Sequence, residues 1–514
     1  MLSKVYSSGV MGIDGYEVVV ECSGWDRVPR FDLVGLPDAS VKEAKNRVQS
    51  ACENSGIRFP ALDLMINLAP ADIKKEGSGY DLAILVSILQ SDGKIARGSD
   101  LSDKCFVGEL SLSGEVRPIR GILPMTISAR DSGRREMFVP KENAEEAAVV
   151  DGIRIFGVNN VRELVEHLNG NARISETPHT ASSFDFSKNT TSLDFSDVRG
   201  QLKAKRALEI AAAGGHNVLM IGPPGAGKSM LAKRLPSILP DMTLAEAIET
   251  TKVHSVAGVL RENLVVSRPF RSPHHTTSSI GLVGGGVIPR PGEISLAHNG
   301  VLFLDELPEF PKITTEVLRQ PLEDGCVTVT RAAAKLTFPA SFMLVCAMNP
   351  CKCGYFGDST RQCSCNPTAI KKYLDKLSGP LLDRIDIEIE LPSVSYDEIS
   401  GGGVRGECSD DIRKRVNEAR RFSIKRLVDS GERELVVNAK MTPNMVRKYC
   451  ALDEEASSLM RNAFDSLGLS ARGHDRVLRV ARTIADLDGM RDINADHIAE
   501  AIMYRSLDRK YWKR

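Results

Sequence analysis

The strongest chemical pattern in the chain is Gly222-Pro223-Pro224-Gly225-Ala226-Gly227-Lys228-Ser229. It is entered from the apolar run Val218-Leu219-Met220-Ile221 and left through Met230-Leu231-Ala232-Lys233-Arg234-Leu235. A buried strand, a glycine-rich turn and a helix are expected there, which is the setting a phosphate loop needs. Glycines let successive backbone N–H groups turn inward toward a phosphate, and the positive end of the following helix dipole reinforces them. Lys228 is then expected at the β- and γ-phosphates and Ser229 on Mg²⁺, with Gly222 through Met230 forming the nucleotide-contacting set. Further along, Val301-Leu302-Phe303-Leu304 runs into Asp305-Glu306. Two carboxylates can close any strand, but beside a phosphate loop they have work to do. Asp305 is expected on the Mg²⁺ side and Glu306 as the group that polarises the attacking water.

A second cluster is Cys351-Lys352-Cys353 followed, after nine residues, by Cys363-Ser364-Cys365. Four soft ligands this close suit tetrahedral Zn²⁺, and the glycines between them let a short loop fold back. The C-x-C spacing is tighter than the usual C-x₂-C, and free thiols in a loop are the plainer alternative. A closed structural zinc site is the reading adopted, because four ligands leave no open position.

These residues need a scaffold, and the chain has material for one. It has 514 residues, 42% of them hydrophobic and 26% charged, which excludes a disordered or collagen-like chain. About three domains are expected at this length. The longest apolar runs, such as residues 342–348, are strand-sized and too short to span a membrane. No secretory pattern opens the sequence, and eleven cysteines without one suggest reduced thiols in a cytoplasmic protein. Lys+Arg and Asp+Glu number 67 each. That balance excludes a generally basic, DNA-coating protein, yet leaves room for a few basic residues concentrated on one face.

Residues 1–168 mix β-rich runs (16–22, 153–158) with helical patterns (40–54, 82–90) and read as one α/β domain. Residues 169–194, rich in Ser, Thr and Asn, read as a linker. A second α/β block follows over 195–400, and Gly401-Gly402-Gly403 leads into a C-terminal segment, 401–514, with helical spacing over 411–427 and 476–487.

Longer strings carry a family resemblance. They are Phe270-Arg271-Ser272-Pro273-His274-His275-Thr276, Pro291 through Leu307, and Ser378-Gly379-Pro380-Leu381-Leu382-Asp383-Arg384-Ile385-Asp386. On these the chain resembles, essentially end to end, the ComM/YifB family of Mg-chelatase-like AAA+ ATPases. The resemblance implies a multidomain α/β fold: a Lon-protease-like α+β N-terminal domain, an AAA+ P-loop core with a parallel sheet, and a C-terminal helical lid. It makes Asn349, after the apolar strand 342–348, the sensor 1 residue that helps orient the lytic water. Arg384 matches the arginine finger, which neutralises transition-state charge in a neighbouring subunit. Arg472 matches the sensor 2 arginine, with Arg476 the alternative. Asp197-Val198-Arg199-Gly200-Gln201 resembles the segment lining the adenine pocket, through Val198 and Gly200. An arginine finger implies a ring, and such relatives are usually homo-hexamers.

Two elements are then expected to face a central pore. Residues 327–338 alternate β-branched and polar side chains around a short tip and read as a hairpin carrying Arg331 and Lys335. In related ring ATPases a hairpin at this place grips DNA. The second is the insertion 256–291, with Arg268, Arg271, Arg290 and a Gly284-Gly285-Gly286 hinge. Basic groups repeated around a ring would give a sequence-independent, salt-sensitive phosphate track. The plainer reading is solvated loop charge.

The N-terminal domain resembles the Lon-type protease domain over Ile66 to Asp81 and Gly108 to Gly121, but without its dyad. Gly79 stands at the serine position, and Leu123, Pro124 and Met125 offer no lysine. Ser78 is one residue off, with no base partner in the sequence. A Ser-Lys dyad needs a neutral lysine at the hydroxyl, so a ring-building or DNA-guiding scaffold is expected rather than a peptidase. The reading is an ATP-hydrolysing ring that translocates on single-stranded or branched DNA. It would promote branch migration of recombination intermediates in natural transformation, with recombination proteins as further partners and ATP, Mg²⁺ and Zn²⁺ as cofactors. The alternative is a chelatase-type motor powering metal insertion through partner proteins.

Overall fold

The computed structural model describes residues 2–96, 99–180, 184, 193–286, 289–330, 335–358, 361–393 and 406–512. The chain forms two units that are not contiguous in sequence, residues 1–185 with 244–266, and residues 186–243 with 267–514.

The first unit is built on an eight-stranded mixed sheet. Its strands are β1 (Leu2–Met11), β2 (Asp14–Trp25), β3 (Arg30–Val34), β4 (Asp63–Ala69), β5 (Lys104–Phe106), β6 (Glu136–Pro140), β7 (Arg154–Val158) and β8 (Glu176–Thr177), in the order β8-β7-β6-β5-β1-β2-β4-β3. Strands β1 and β2 form a hairpin whose inward residues Val18, Val20 and Cys22 recur every second position. The apolar helix Asp81–Ser91 packs on this hairpin, and so does the helix Ile122–Asp131. The second approach is so close that a side chain at Gly15 would lie 2.2 Å from the Pro124 carbonyl oxygen. The short edge strand β8 falls within the stretch expected as linker.

This unit also takes in an excursion from the phosphate-loop half of the sequence. Helix Leu244–Ala257 lies against the helix Ile122–Asp131. Ser255 donates to Glu146 at 2.5 Å, Lys252 meets Asp14 at 2.6 Å, and Asn263 donates to Glu145 at 2.6 Å. Burial raises the Glu146 carboxyl above its ordinary range, and the Ser255 hydroxyl partly offsets this.

The second unit has a five-stranded sheet formed by β9 (Val218–Ile221), β10 (Phe270–Arg271), β11 (Val301–Leu304), β14 (Met343–Met348) and β15 (Ile387–Glu390), in the order β10-β11-β14-β9-β15. Every pairing is parallel. Strands β9, β11 and β14 are buried along their whole length, as expected for uninterrupted apolar runs covered on both faces. Between β11 and β14 a separate antiparallel hairpin pairs β12 (Cys326–Thr330) with β13 (Lys335–Pro339). The helices Leu202–Gly214, Ser409–Asp429 and Ala471–Leu487 pack on one another, and one apolar core joins them to the sheet. In helix Ser409–Asp429 the buried residues Ile412, Val416, Ala419, Ser423 and Leu427 recur at helical spacing, so one stripe faces that core.

The parallel order has a chemical consequence. Gly222, Asp305 and Asn349 follow directly from the carboxyl ends of β9, β11 and β14, so the expected site residues emerge along one edge of the sheet.

Candidate nucleotide site and cysteine cluster

The phosphate loop turns at Gly225 and Gly227, whose φ angles of +82° and +90° lie where a side chain would be strained. Gly227 caps the helix Lys228–Arg234. Lys228 is 8% exposed, and its ammonium donates to the carbonyls of Gly222 at 2.6 Å and Pro223 at 2.9 Å, and to Asn349 Oδ1 at 3.0 Å. Burial lowers its pKa to about 8, against the pull of Asp305 and Glu306. Ser229 Oγ donates to Asp305 Oδ2 at 2.6 Å. The hydroxyl and carboxylate expected to share Mg²⁺ are therefore already adjacent, and the residues present fit a Mg²⁺-nucleotide.

Glu306 adopts φ +52°, left-handed for a non-glycine residue. Its backbone N–H donates to Asp305 Oδ1 at 3.0 Å, and its carboxylate lies 3.4 Å from His275 Nδ1. The sequence alone assigns His275 no role, because its partner lies 31 positions on, beyond any local pattern. Val198 is buried and Gly200 turns with φ +65°. The neighbouring Gln201 donates to Ala226 O at 3.3 Å and Pro392 O at 2.9 Å, tying this segment to the phosphate loop. A cavity of about 1020 Å³ opens beside them, lined by Leu202, Gly222, Pro223, Pro350, Phe356 and Leu391 among others.

The remaining arginines differ in setting. Arg384 pairs with Glu323 and donates to Pro380 O within its own chain. Arg472 is exposed in the first turn of helix Ala471–Leu487. Arg476 is buried 3.6 Å from Asp386, and desolvation lowers its pKa to about 10. On the same helix the Nε of Arg479 is buried with no hydrogen-bond partner among the described residues.

Three models of magnesium chelatase subunit ChlI match the chain, at residues 20–143, 194–399 and, for its C-terminal part, 406–505. Competence protein ComM of Haemophilus influenzae is 43% identical over 511 residues, covering 99% of this chain and 98% of its own. The chain belongs to the ComM/YifB family of Mg-chelatase-like AAA+ ATPases. YifB of Escherichia coli is 40% identical over 509 residues, covering 99% of this chain and 98% of its own. Lon protease 2 of Bacillus subtilis is 27% identical over 139 residues, 27% of this chain and 24% of its own. Membership of the ComM/YifB family implies ATPase activity, with ATP and Mg²⁺ as its cofactors.

In this family member the four clustered cysteines converge. Their sulfur atoms all lie within 4.8 Å of one another, with Cys351–Cys353, Cys353–Cys363 and Cys351–Cys363 at 3.3, 3.5 and 3.7 Å. Zn–S bonds of ~2.3 Å in a tetrahedron put sulfurs about 3.8 Å apart, so the donor set fits zinc. All four thiols are free. Backbone amides, that of Tyr355 foremost, hold the Cys353 thiol down at about 5, the thiolate form a metal ligand takes.

The residues expected at the pore divide. Arg331 lies outside the described residues; Lys335 is exposed at the first position of β13. Arg268 donates to the carbonyls of Pro240, Asn299 and Asp241, and Arg271 forms a two-pronged pair with Glu293 at 2.7 Å. Both arginines thus have partners within their own unit. Arg290 is exposed. In the N-terminal unit Ser78 donates to the Glu109 carboxylate, a partner the sequence did not suggest, while Leu123, Pro124 and Met125 are buried in a helix.

Proposed function

We propose that the protein is a cytoplasmic ring motor, a homo-hexamer that hydrolyses ATP to translocate on single-stranded or branched DNA. Its task would be branch migration of recombination intermediates in natural transformation, alongside recombination proteins. The observation that carries the ATPase reading is the convergence of Lys228, Ser229, Asp305 and Asn349 at the ends of three parallel strands. Bound Mg²⁺ supplies Lewis-acid polarisation of the phosphate oxygens. Lys228 leaves the loop carbonyls to hold phosphate, Ser229 and Asp305 hold the metal, and Glu306 takes up the proton of the attacking water. Asn349 orients that water, while Arg384 leaves Glu323 to act on the neighbouring subunit's site and Arg472 closes over its own. Val198 and Gly200 back the base, which enters the cavity beside Gly222. Zn²⁺ on Cys351, Cys353, Cys363 and Cys365 is structural. Lys335 and Arg331 meet the DNA backbone.

The DNA reading is supported by the competence relative and by the exposed Lys335 at the end of a hairpin. The three ChlI matches favour a second reading, a motor for metal insertion through partner proteins. ATPase rate measured without DNA, with single-stranded DNA and with a four-way junction separates the two. Stimulation of severalfold is expected, abolished by raising salt, and Glu306→Gln is expected to lower the rate by about 10²-fold or more while nucleotide still binds. No binding and no stimulation by any DNA at low salt would overturn the DNA motor.

A further inference from the structure

The cysteine knuckle is built against the phosphate loop. One residue, Pro350, separates Asn349, which holds the Lys228 ammonium, from Cys351, which is wholly buried. Three residues on, Gly354 turns with φ +92°, and its backbone approaches Pro224 of the phosphate loop. A side-chain carbon added at Gly354 would lie 2.5 Å from Pro224 Cδ and 2.8 Å from Pro224 Cγ. The knuckle also walls the cavity next to that loop: Pro350, Phe356 and Asp358 line it together with Gly222 and Pro223. Its far side is anchored where Ser393, just beyond β15, donates to Asp358.

A segment with no helix or strand among its described residues has little to hold this geometry. Each residue that must be ordered costs roughly 1–2 kcal/mol of conformational entropy, and four thiols without a metal return little of it. A metal drawing on four ligands offsets that cost. We propose that the metal held by Cys351, Cys353, Cys363 and Cys365 is a working part of the nucleotide site, so that its occupancy sets nucleotide affinity through the Gly354–Pro224 contact. The inference rests on the zinc reading above and extends it. Thermodynamic linkage makes the coupling reciprocal: bound nucleotide must tighten the metal by the factor by which the metal tightens nucleotide.

The test uses the full chain. Metal content is measured on the purified protein, and the affinity of a fluorescent ADP analogue is measured by anisotropy before and after zinc is stripped with a chelator. Affinity is expected to fall about tenfold on stripping and to return on adding one equivalent of Zn²⁺. The same analogue is expected to slow zinc transfer to the chelator. Gly354→Ala keeps all four ligands; it is expected to retain zinc and a folded circular-dichroism spectrum while binding the analogue about tenfold more weakly, and it decides the matter if stripping unfolds the chain. One zinc per chain with affinity unchanged within twofold, in stripped protein or in folded Gly354→Ala, overturns the coupling and leaves the zinc site standing. Protein that never holds metal overturns both.

Discussion

Glu306 is a residue held against its own preference. A left-handed conformation costs a non-glycine residue roughly 1–2 kcal/mol and persists where surrounding contacts fix it. Here the contacts are the N–H bond to Asp305, the carbonyl that accepts from Glu309 N at 2.7 Å, and the approach of His275 Nδ1 to the carboxylate at 3.4 Å. One carboxylate oxygen faces His275, which leaves the other to receive a proton from water. For the base proposed at Glu306, His275 would then be a positioning residue. His275→Ala is expected to lower kcat about tenfold with KM for ATP unchanged within twofold, a smaller loss than the ~10²–10⁴ that removing a general base itself causes. His275→Gln, which retains a donor, should recover part of it. Equal falls in affinity and turnover in steady-state kinetics, with no rescue by glutamine, would assign His275 to binding or to folding instead.

Asn217, immediately before β9, ties three elements together. Its side chain donates to Arg384 O and accepts from Leu344 N, each at 2.8 Å, while its backbone carbonyl receives the amides of Asp386 and Ile387, each at 3.0 Å. The strand that leads into the phosphate loop, the strand that leads into Asn349 and the turn bearing Arg384 thus share one side chain. Asn217→Ala leaves a donor and an acceptor without partners and is expected to cost about 2–4 kcal/mol, read as a lower denaturant midpoint for the second unit. Asn217→Asp keeps the acceptor and should lose about half as much. Such hubs mark the limit of what can be read from the chain alone. The phosphate loop and Asp305-Glu306 are legible because strand, turn and reactive residue are neighbours in sequence, and the cysteine knuckle because its ligands span fifteen positions. Asn217, His275 and Gln201 act on partners brought up by other strands, and no local pattern marks them. The partners of Arg268 and Arg271 are hidden from the sequence for the same reason: Glu293 and the carbonyls that bind them are distant along the chain. The helix Leu244–Ala257 was legible as neither an excursion nor a partner for Glu146, since its pattern specifies a helix but not the surface that receives it.

At the scale of the whole molecule the proposed ring would be a motor whose completeness depends on its neighbours. Within one chain Arg384 sits with Glu323 and not at the phosphate loop's ligand groups, so the proposed finger has to be released and delivered to another subunit. That requirement has a stoichiometric signature. Lys228→Ala is expected to abolish nucleotide use in its own subunit, and Arg384→Ala to abolish its contribution next door, each leaving homogeneous rings about 10³-fold slower. In a one-to-one mixture of the two variants, an interface works when an Arg384→Ala subunit, whose loop is intact, receives the finger of a Lys228→Ala subunit. Random assembly gives each role a chance of one half, so about a quarter of the wild-type rate should return if fingers act in trans. A structural role for Arg384, or a finger acting within its own chain, predicts no recovery at any mixing ratio. The curve of rate against mixing ratio, rising from both ends to a maximum at equal proportions, is therefore the measurement that ties the residue at the turn before β15 to the ring.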